Sequence, residues 1–270
     1  MPLPRFTAVQ FCRPMERGLN SPFLVTGEPI GGGKRVPLVV KSTAGFANRT
    51  EAPVRELFAL LLSKRLKIFT PAPALVEFPK GFEWALAEEP KIQELVKASP
   101  GWNLATIHLG NDWKTWISGN APKTITPAQI ESGYCFDGLI QNPDREADNP
   151  NMLWKGNQLA LLDFDRAFSL LDIFKNDEKP WRKALAQQNL IRHSLHRYLP
   201  DLKDGIILGK FLWETFEEWK LEREKSEISD EITPFLADPK VDLPKIEAYI
   251  DRLAKDLEDF FRYLTEASRK

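Results

Sequence analysis

Apolar residues fall into two regimes along the chain. Up to about residue 110 they come in short runs rich in β-branched and aromatic side chains: Phe23-Leu24-Val25, Val36 to Val40, Ala74 to Phe78, Glu83 to Ala87 and Trp102 to Leu109. Runs of this length and make-up predict strands. One segment differs. Over 53–67, Val54, Leu57, Phe58, Leu61 and Leu62 recur at spacings of three and four, which predicts a helix, with Thr50 as its cap and Pro53 in its first turn. From about residue 111 the helical period takes over. Thr126-Pro127 starts a helix that runs to Ile140, because threonine caps and proline fits the first helical position. Further helices are predicted over Trp181 to Leu199, Leu208 to Lys225 and Pro244 to Leu264. In the last of these, Ile246, Ile250, Leu253, Leu257, Phe260 or Phe261 and Leu264 step by three or four behind an Asp242 cap, and Trp213, Phe216 and Trp219 follow the same logic earlier. One hairpin interrupts the helices: Met152-Leu153-Trp154, a Gly156-Asn157 turn, then Leu159 to Leu162. The charged run Glu222 to Glu231 reads as a solvated helix end or loop. The fold class is therefore α+β, β-rich first and mainly helical after.

Composition narrows the function more than the fold. At 270 residues, 43% hydrophobic and 28% charged, the chain suits two packed lobes of a globular protein and excludes fibrous or disordered classes. A net charge of −1 gives no general attraction to nucleic acid or anionic lipid, so neither is an expected partner. Cys12 and Cys135 are too few for a disulfide framework and are expected to be reduced and buried. His193 and His196 lack the glutamate of a zinc helix and are expected to be packing or surface histidines. The longest apolar run, Leu57 to Leu62, is far short of a membrane span, and the N-terminus is not built as a signal peptide. A cytoplasmic location is the expectation.

Candidate chemistry gathers around the hairpin. Asp144 lies in Asn142-Pro143-Asp144-Arg145-Glu146-Ala147-Asp148-Asn149, and Asp163 ends the second strand in Leu161-Leu162-Asp163-Phe164-Asp165. A base at Asp144, with Asn149 and Asp163 as oxygen ligands for Mg²⁺ at one loop mouth, is what phosphoryl transfer requires. Turn residues and solubilising carboxylates give surface loops the same composition, so the upstream partners matter. Lys41 ends the Val36 to Val40 run where another apolar residue would be ordinary, and Glu56, fifteen positions on, borders the apolar stripe of the 53–67 helix. Phosphoryl transfer needs such a lysine at the nucleotide phosphates and a carboxylate to hold it. The stretch Gly27 to Arg35 imitates a P-loop, but its spacing is one too long, Arg35 stands where Ser or Thr belongs, and a strand follows it. It reads as a glycine-rich β-turn.

With the strand lysine, the helix glutamate, the Asp144-Arg145-x-x-Asp148-Asn149 loop and the closing Asp163-Phe164-Asp165-Arg166-Ala167-Phe168, the chain resembles the HipA-like kinases and their relatives, the type II phosphatidylinositol 4-kinases. The resemblance covers about the first 170 residues. It implies a two-lobed protein kinase-like fold. The N-lobe would be 1–110, with a nucleotide-covering sheet and an adenine-holding hinge near 102–109; the C-lobe would be 111–270, with the catalytic loop at 142–149. It implies ATP and Mg²⁺ as cofactors, Asp144 as catalytic base, Asn149 and Asp163 as metal ligands, Lys41 as phosphate contact and Glu56 as its ion-pair partner. Gly18, Asn20 and Ser21 would form a short phosphate-facing turn. Glu146 and Asp165 depart from the family pattern; Asp165 would bind a second ion or pair with Arg145 or Arg166. The implied activity is transfer of the γ-phosphate to a Ser or Thr hydroxyl of a protein. The alternatives are a small-molecule or lipid acceptor, or a nucleotide-binding pseudokinase acting as an interaction module. The C-terminal helix is core or the surface for a second copy or partner.

Overall fold

A computed structural model describes residues 3–15, 20–46, 51–174, 177–200, 208–218, 228, 230–232 and 243–270. The fold is α+β, and the chain divides into two compact units. The first comprises Met1–Leu57, Pro71–Gly110 and Asp230–Val241; the second comprises Phe58–Thr70, Asn111–Ser229 and Asp242–Lys270.

In the first unit five strands, β1 (Arg5–Pro14), β2 (Phe23–Pro29), β3 (Val36–Lys41), β4 (Pro73–Glu77) and β5 (Trp102–Ile107), close into a barrel in the order β1-β2-β3-β5-β4. The expected nucleotide-covering sheet is thus a closed surface. Closure comes from parallel pairing of β1 with β4, Arg5 opposite Leu75 through Thr7 opposite Glu77. Register shifts in β1 at Ala8/Gln10 and Phe11/Arg13 bend that strand round. A five-stranded barrel is narrow, and its inward positions suit it: Ala8, Ala74 and Ala105 sit among Phe6, Phe23, Val25, Leu38, Val40 and Val76. Gly27 belongs to the same fit, since a Cβ there would collide with Leu38 Cδ1. The turn into β3 uses Gly31, Gly32 and Gly33 at φ 95°, 87° and 135°, a backbone that only glycine adopts without strain.

The expected strand over 83–87 is instead a 3-10 turn, Phe82–Leu86. Phe82 and Leu86, one helical turn apart, are both buried against the barrel core, whereas Trp84 between them is 77% exposed. The adjoining helix α2 (Pro90–Lys97), which the sequence pattern does not predict, adds Ile92 and Val96 to the same core. Helix α1 (Ala52–Arg65) matches the 53–67 expectation; its residues to Leu57 belong to the first unit and those from Phe58 to the second. The expected cap, Thr50, lies outside the described residues. Cys12 is exposed, not buried, because the outer half of β1 carries its side chains to solvent; Cys135 is buried.

The second unit holds a three-stranded sheet, β6 (Lys114–Thr115), β7 (Met152–Lys155) and β8 (Gln158–Leu161), with Gly156 turning the β7-β8 hairpin at φ 57°. Its helices are α3 (Pro127–Leu139), α4 (Leu170–Ile173), α5 (Ala184–Arg192), α6 (Lys210–Glu218), α7 (Leu243–Lys255) and α8 (Leu257–Ser268). Thr126 closes a capping box on α3: its hydroxyl accepts from Gln129 N at 3.4 Å and Gln129 Oε1 accepts from Thr126 N at 3.1 Å. Every residue from Gly133 to Leu139 is buried, so the second half of α3 is core on all its faces.

Two expected helices are broken. The 181–199 helix shrinks to α5, because His193 is extended (ψ 135°) and its backbone bridges to Glu146 across the loop after α3. The 244–264 helix breaks at Asp256 (φ −116°, ψ 29°) into α7 and α8. The apolar stripe survives the break, with Ile246, Ile250, Leu253, Leu257, Phe260, Phe261 and Leu264 all buried within the chain. Trp219, the Asp242 cap, the end of the 208–225 helix and most of the 222–231 run lie outside the described residues.

Candidate active site

The segment joining α3 to β7 is organised by a carboxylate in the last turn of α3, Asp137. Asp137 and Arg145 form an ion pair with both side chains fully buried. Arg145 Nε donates to Asp137 Oδ2 and Nη2 to Oδ1 at 3.4 Å. Asn142 Nδ2 donates to Oδ1 at 2.8 Å, and His193 Nε2 lies 3.0 Å from Oδ2. The far side of the guanidinium spans the loop: Nη1 donates to the carbonyls of Pro150 (3.2 Å), Asn151 and Leu162 (3.1 Å). Its plane covers the Phe164 ring at 5.2 Å. One side chain therefore fastens the residues just after Asn149 to the residue just before Asp163. Burial alone would raise Asp137, but the Arg145 charge and the hydrogen bonds from His193 and Arg145 outweigh it and hold the carboxyl at about 2. Burial pushes His193 below its ordinary 6.5, with Asp137 opposing and the charges of Arg145 and His196 adding to the fall.

Asp144 sits on this frame, half-buried, between Asn142 and Arg145. Its backbone N donates to Asn142 Oδ1 at 3.2 Å. Its Oδ2 accepts from Asn149 Nδ2 at 3.0 Å and from Asn151 Nδ2 at 3.2 Å. The Asp144 carboxyl is raised above its ordinary value, first by burial, then by the negative charges of Asp163 and Asp165, with Arg166 and Arg145 opposing. The hairpin thus brings Asp144, Asn149 and the Asp163 region into one electrostatic neighbourhood. Asp163 lies two residues past β8 at φ 57°, a left-handed backbone that is uncommon for a non-glycine residue and tends to mark functional sites. The β-ladder extends to it, with Leu162 N donating to Asn151 O at 2.8 Å. Asp165 is buried, and Arg145 pairs with Asp137 rather than with it.

Among the described residues no group of three His, Cys, Asp or Glu side chains is arranged to hold a metal ion. Mg²⁺ is ordinarily held by one or two carboxylates together with phosphate oxygens and water, so an all-protein cage is not the relevant test. The donors at hand are hard oxygens, the Asn149 amide and the Asp163 carboxylate, beside acidic groups whose mutual repulsion a cation would relieve. That donor chemistry fits Mg²⁺.

In the first unit Lys41 Nζ meets both Glu56 oxygens at 2.7 Å, with the two side chains 13% and 4% exposed. The backbone beyond Lys41 is fixed by Asn103, whose Oδ1 accepts from Thr43 N at 2.8 Å and from Thr43 Oγ1 at 3.1 Å. Asn103 Nδ2 donates to the carbonyls of Ser99 and Gly101, both at 3.1 Å, so every polar atom of this buried amide is used. Asn20 lies against the 3-10 turn Thr43–Phe46: a Cβ on Gly45 would come 2.8 Å from Asn20 O. Ser21 has φ 47°. Gly18 is outside the described residues.

A family model of HipA-like kinases matches residues 8–234. The chain belongs to the HipA-like kinase family. Among solved structures, this HipA-like kinase is similar to the Helicobacter pylori proinflammatory kinase CtkA at 11% identity, covering 96% of this chain and 98% of that one with a TM-score of 0.49. No curated protein matches the chain by sequence. Among the described residues no helix is long and apolar enough to cross a membrane.

Sequence reading does not single out Asp137, Asn151, Asn103 or the buried role of His193. A signal for one of them was present. Asp137 stands in the apolar run Tyr134-Cys135-Phe136-Asp137-Gly138-Leu139-Ile140, and a charge inside a core helix needs a buried partner. Nothing local in the chain points from there to His193.

Proposed function

We propose that this kinase uses ATP and Mg²⁺ to phosphorylate a Ser or Thr hydroxyl of a protein, with 1–110 and 111–270 serving as its two lobes. The observation that carries the reading is Asp144: a half-buried carboxylate, held at Oδ2 by two amides and set beside Asp163 and Asp165. Its Oδ1 is the oxygen that takes the proton of the acceptor hydroxyl, while the amides of Asn149 and Asn151 fix the direction in which it faces. Asn149 and Asp163 hold Mg²⁺, which when bound neutralises charge on the phosphates. Lys41 offsets the negative charge that develops on the transferred group, and Glu56 keeps its ammonium aimed. Asn20, seated on the turn that follows Lys41, and the adjoining Ser21 contribute backbone groups towards the phosphates. The protein acceptor rests on the family alone.

The test is a pair of variants. Asp144→Asn should lower phosphate transfer by roughly 10²- to 10⁴-fold, the usual contribution of a general base. It should still bind nucleotide. At about a hundredfold over its dissociation constant, ATP with Mg²⁺ should stabilise the parent by roughly 2.7 kcal/mol in a thermal shift. Asp163→Asn should weaken that shift. Transfer unchanged in Asp144→Asn would make the loop a scaffold and the protein a nucleotide-binding module; no shift with any nucleotide would remove the kinase reading of the site.

A further inference from the structure

We infer that His193 is a positioning residue for Asp144, acting on the loop through Asp137 and Arg145. This rests on the reading of Asp144 as the catalytic base. His193 stands immediately after α5, 49 residues from Asp144, and touches none of the residues assigned to substrate or metal. Its ring nitrogens are both engaged. Nδ1 accepts from Leu195 N at 3.1 Å, so the ring proton sits on Nε2, which donates to Asp137 Oδ2 at 3.0 Å. The geometry selects a neutral imidazole of one tautomer, and a protonated Nδ1 would face a backbone donor.

What that hydrogen bond secures is the carboxylate on which the loop hangs. Asp137 carries four donors: Arg145 Nε and His193 Nε2 on Oδ2, and Asn142 Nδ2 and Arg145 Nη2 on Oδ1. Asn142 and Arg145 flank Asp144 closely on either side, so the backbone of the base is bracketed by two residues that both report to Asp137. The segment after α5 holds Arg145 from the other side as well. Ser194 N and Oγ donate to Arg145 O at 2.9 and 3.2 Å, and His193 bridges to Glu146. Losing the His193 donor leaves one Asp137 lone pair empty in a buried site, and the cheapest relief is a turn of the carboxylate that moves Arg145 or Asn142 with it. A shift of about 1 Å in a catalytic group costs on the order of 100-fold in rate.

The experiment uses the full chain with His193→Leu, which removes the donor, and His193→Gln, which restores one N–H towards Asp137. In His193→Leu, kcat should fall on the order of 100-fold while the KM for ATP stays within about threefold. Hydrogen exchange at the amides of 144–151 should rise about tenfold or more, with β2, β3 and α8 unchanged, and His193→Gln should recover most of both effects. Unchanged loop exchange in folded His193→Leu, a uniform rise across the chain, or a retained kcat would each overturn the inference. If neither parent nor variant transfers phosphate, the kinase reading falls, while the exchange data still decide whether His193 orders the loop. Should His193→Leu fail to fold, nitrogen-15 NMR of the parent decides instead: a proton on Nε2 is required, and a proton on Nδ1 overturns the inference.

Discussion

An ammonium and a carboxylate withdrawn from water are tolerated when close opposite charge compensates the lost hydration. Lys41 and Glu56 meet that condition through two contacts of 2.7 Å in a site where their side chains are 13% and 4% exposed. Removing one partner takes a close opposite charge from a buried group, so Lys41→Met or Glu56→Gln alone should each destabilise the protein, by at most roughly 3–5 kcal/mol. The double variant should be nearer the parent in urea unfolding than either single one, because neither buried charge of the pair remains. Activity should not follow stability: ATP turnover should stay low in Lys41→Met and in the double variant, since the ammonium itself is missing. Recovery of turnover in the double variant would show that the pair is scaffold. This pair was legible in the sequence only as a pair, because a lysine ending a strand and a glutamate bordering a helical stripe are each ordinary alone and gain meaning from standing together ahead of Asp144 and Asp163. Asp137, Arg145 and His193 were not legible as a set. Asp137 alone stands out locally, as a charge in an apolar run, and the meaning of the three arises only when α3, the loop and the end of α5 are brought together.

At the scale of elements, the parts specified by local chemistry were the readable ones. Helix α3 starts where Thr126-Pro127 says it should, since a capping box satisfies helix-end donors within four residues of sequence. Thr126→Ala should cost about 1 kcal/mol. Because Thr126 lies at the far end of α3 from Asp137, that loss should appear as a lower melting temperature with phosphate transfer unaltered, measured on the same preparation. A fall in kcat at temperatures well below the melting point would mean that α3 transmits disorder along its length to the loop. The β7-β8 hairpin was likewise announced by its Gly156-Asn157 turn. Elements shaped by distant partners were not readable. The helical period through 181–199 is genuine, yet the chain leaves the helix at His193 for the bridge to Glu146 and the bond to Asp137. Phe82–Leu86 likewise yields its strand-like composition to the burial of Phe82 and Leu86 on one side.

For the whole molecule, the α+β class followed from the change in hydrophobic period near residue 110, but barrel closure did not. It depends on parallel pairing of β1 with β4, strands about 70 positions apart, and no local signal encodes such a partner. Long-range placement of charge has a consequence that can be measured on the intact protein. The buried centre of the second unit holds Asp137 as an anion, Arg145 as a cation and His193 neutral, so its charges cancel only while His193 stays unprotonated. Unfolded, His193 would titrate near 6.5 and Asp137 near 3.8; folded, both bind protons less readily. The unfolded chain therefore takes up more protons than the folded one, and acid favours unfolding. Little should change from this source above pH 6.5. Stability should fall as the pH drops from 6.5 through the lowered His193 value, by at most about 1.4 kcal/mol per pH unit for a single group. A second loss should come between 3.8 and about 2 as Asp137 is protonated, with the half-exposed Asp259, also held at about 2 by Arg182, adding to it. Asp144 acts in the opposite sense, because its raised carboxyl binds a proton more readily in the fold, which softens only the lower part of the decline. Urea midpoints taken from pH 8 to pH 5 on the parent and on His193→Gln should separate the contributions: the parent declines below 6.5, and the variant, which keeps only the lowered His108 contribution, declines less steeply. Parallel curves would mean that His193 does not carry the acid sensitivity of the fold.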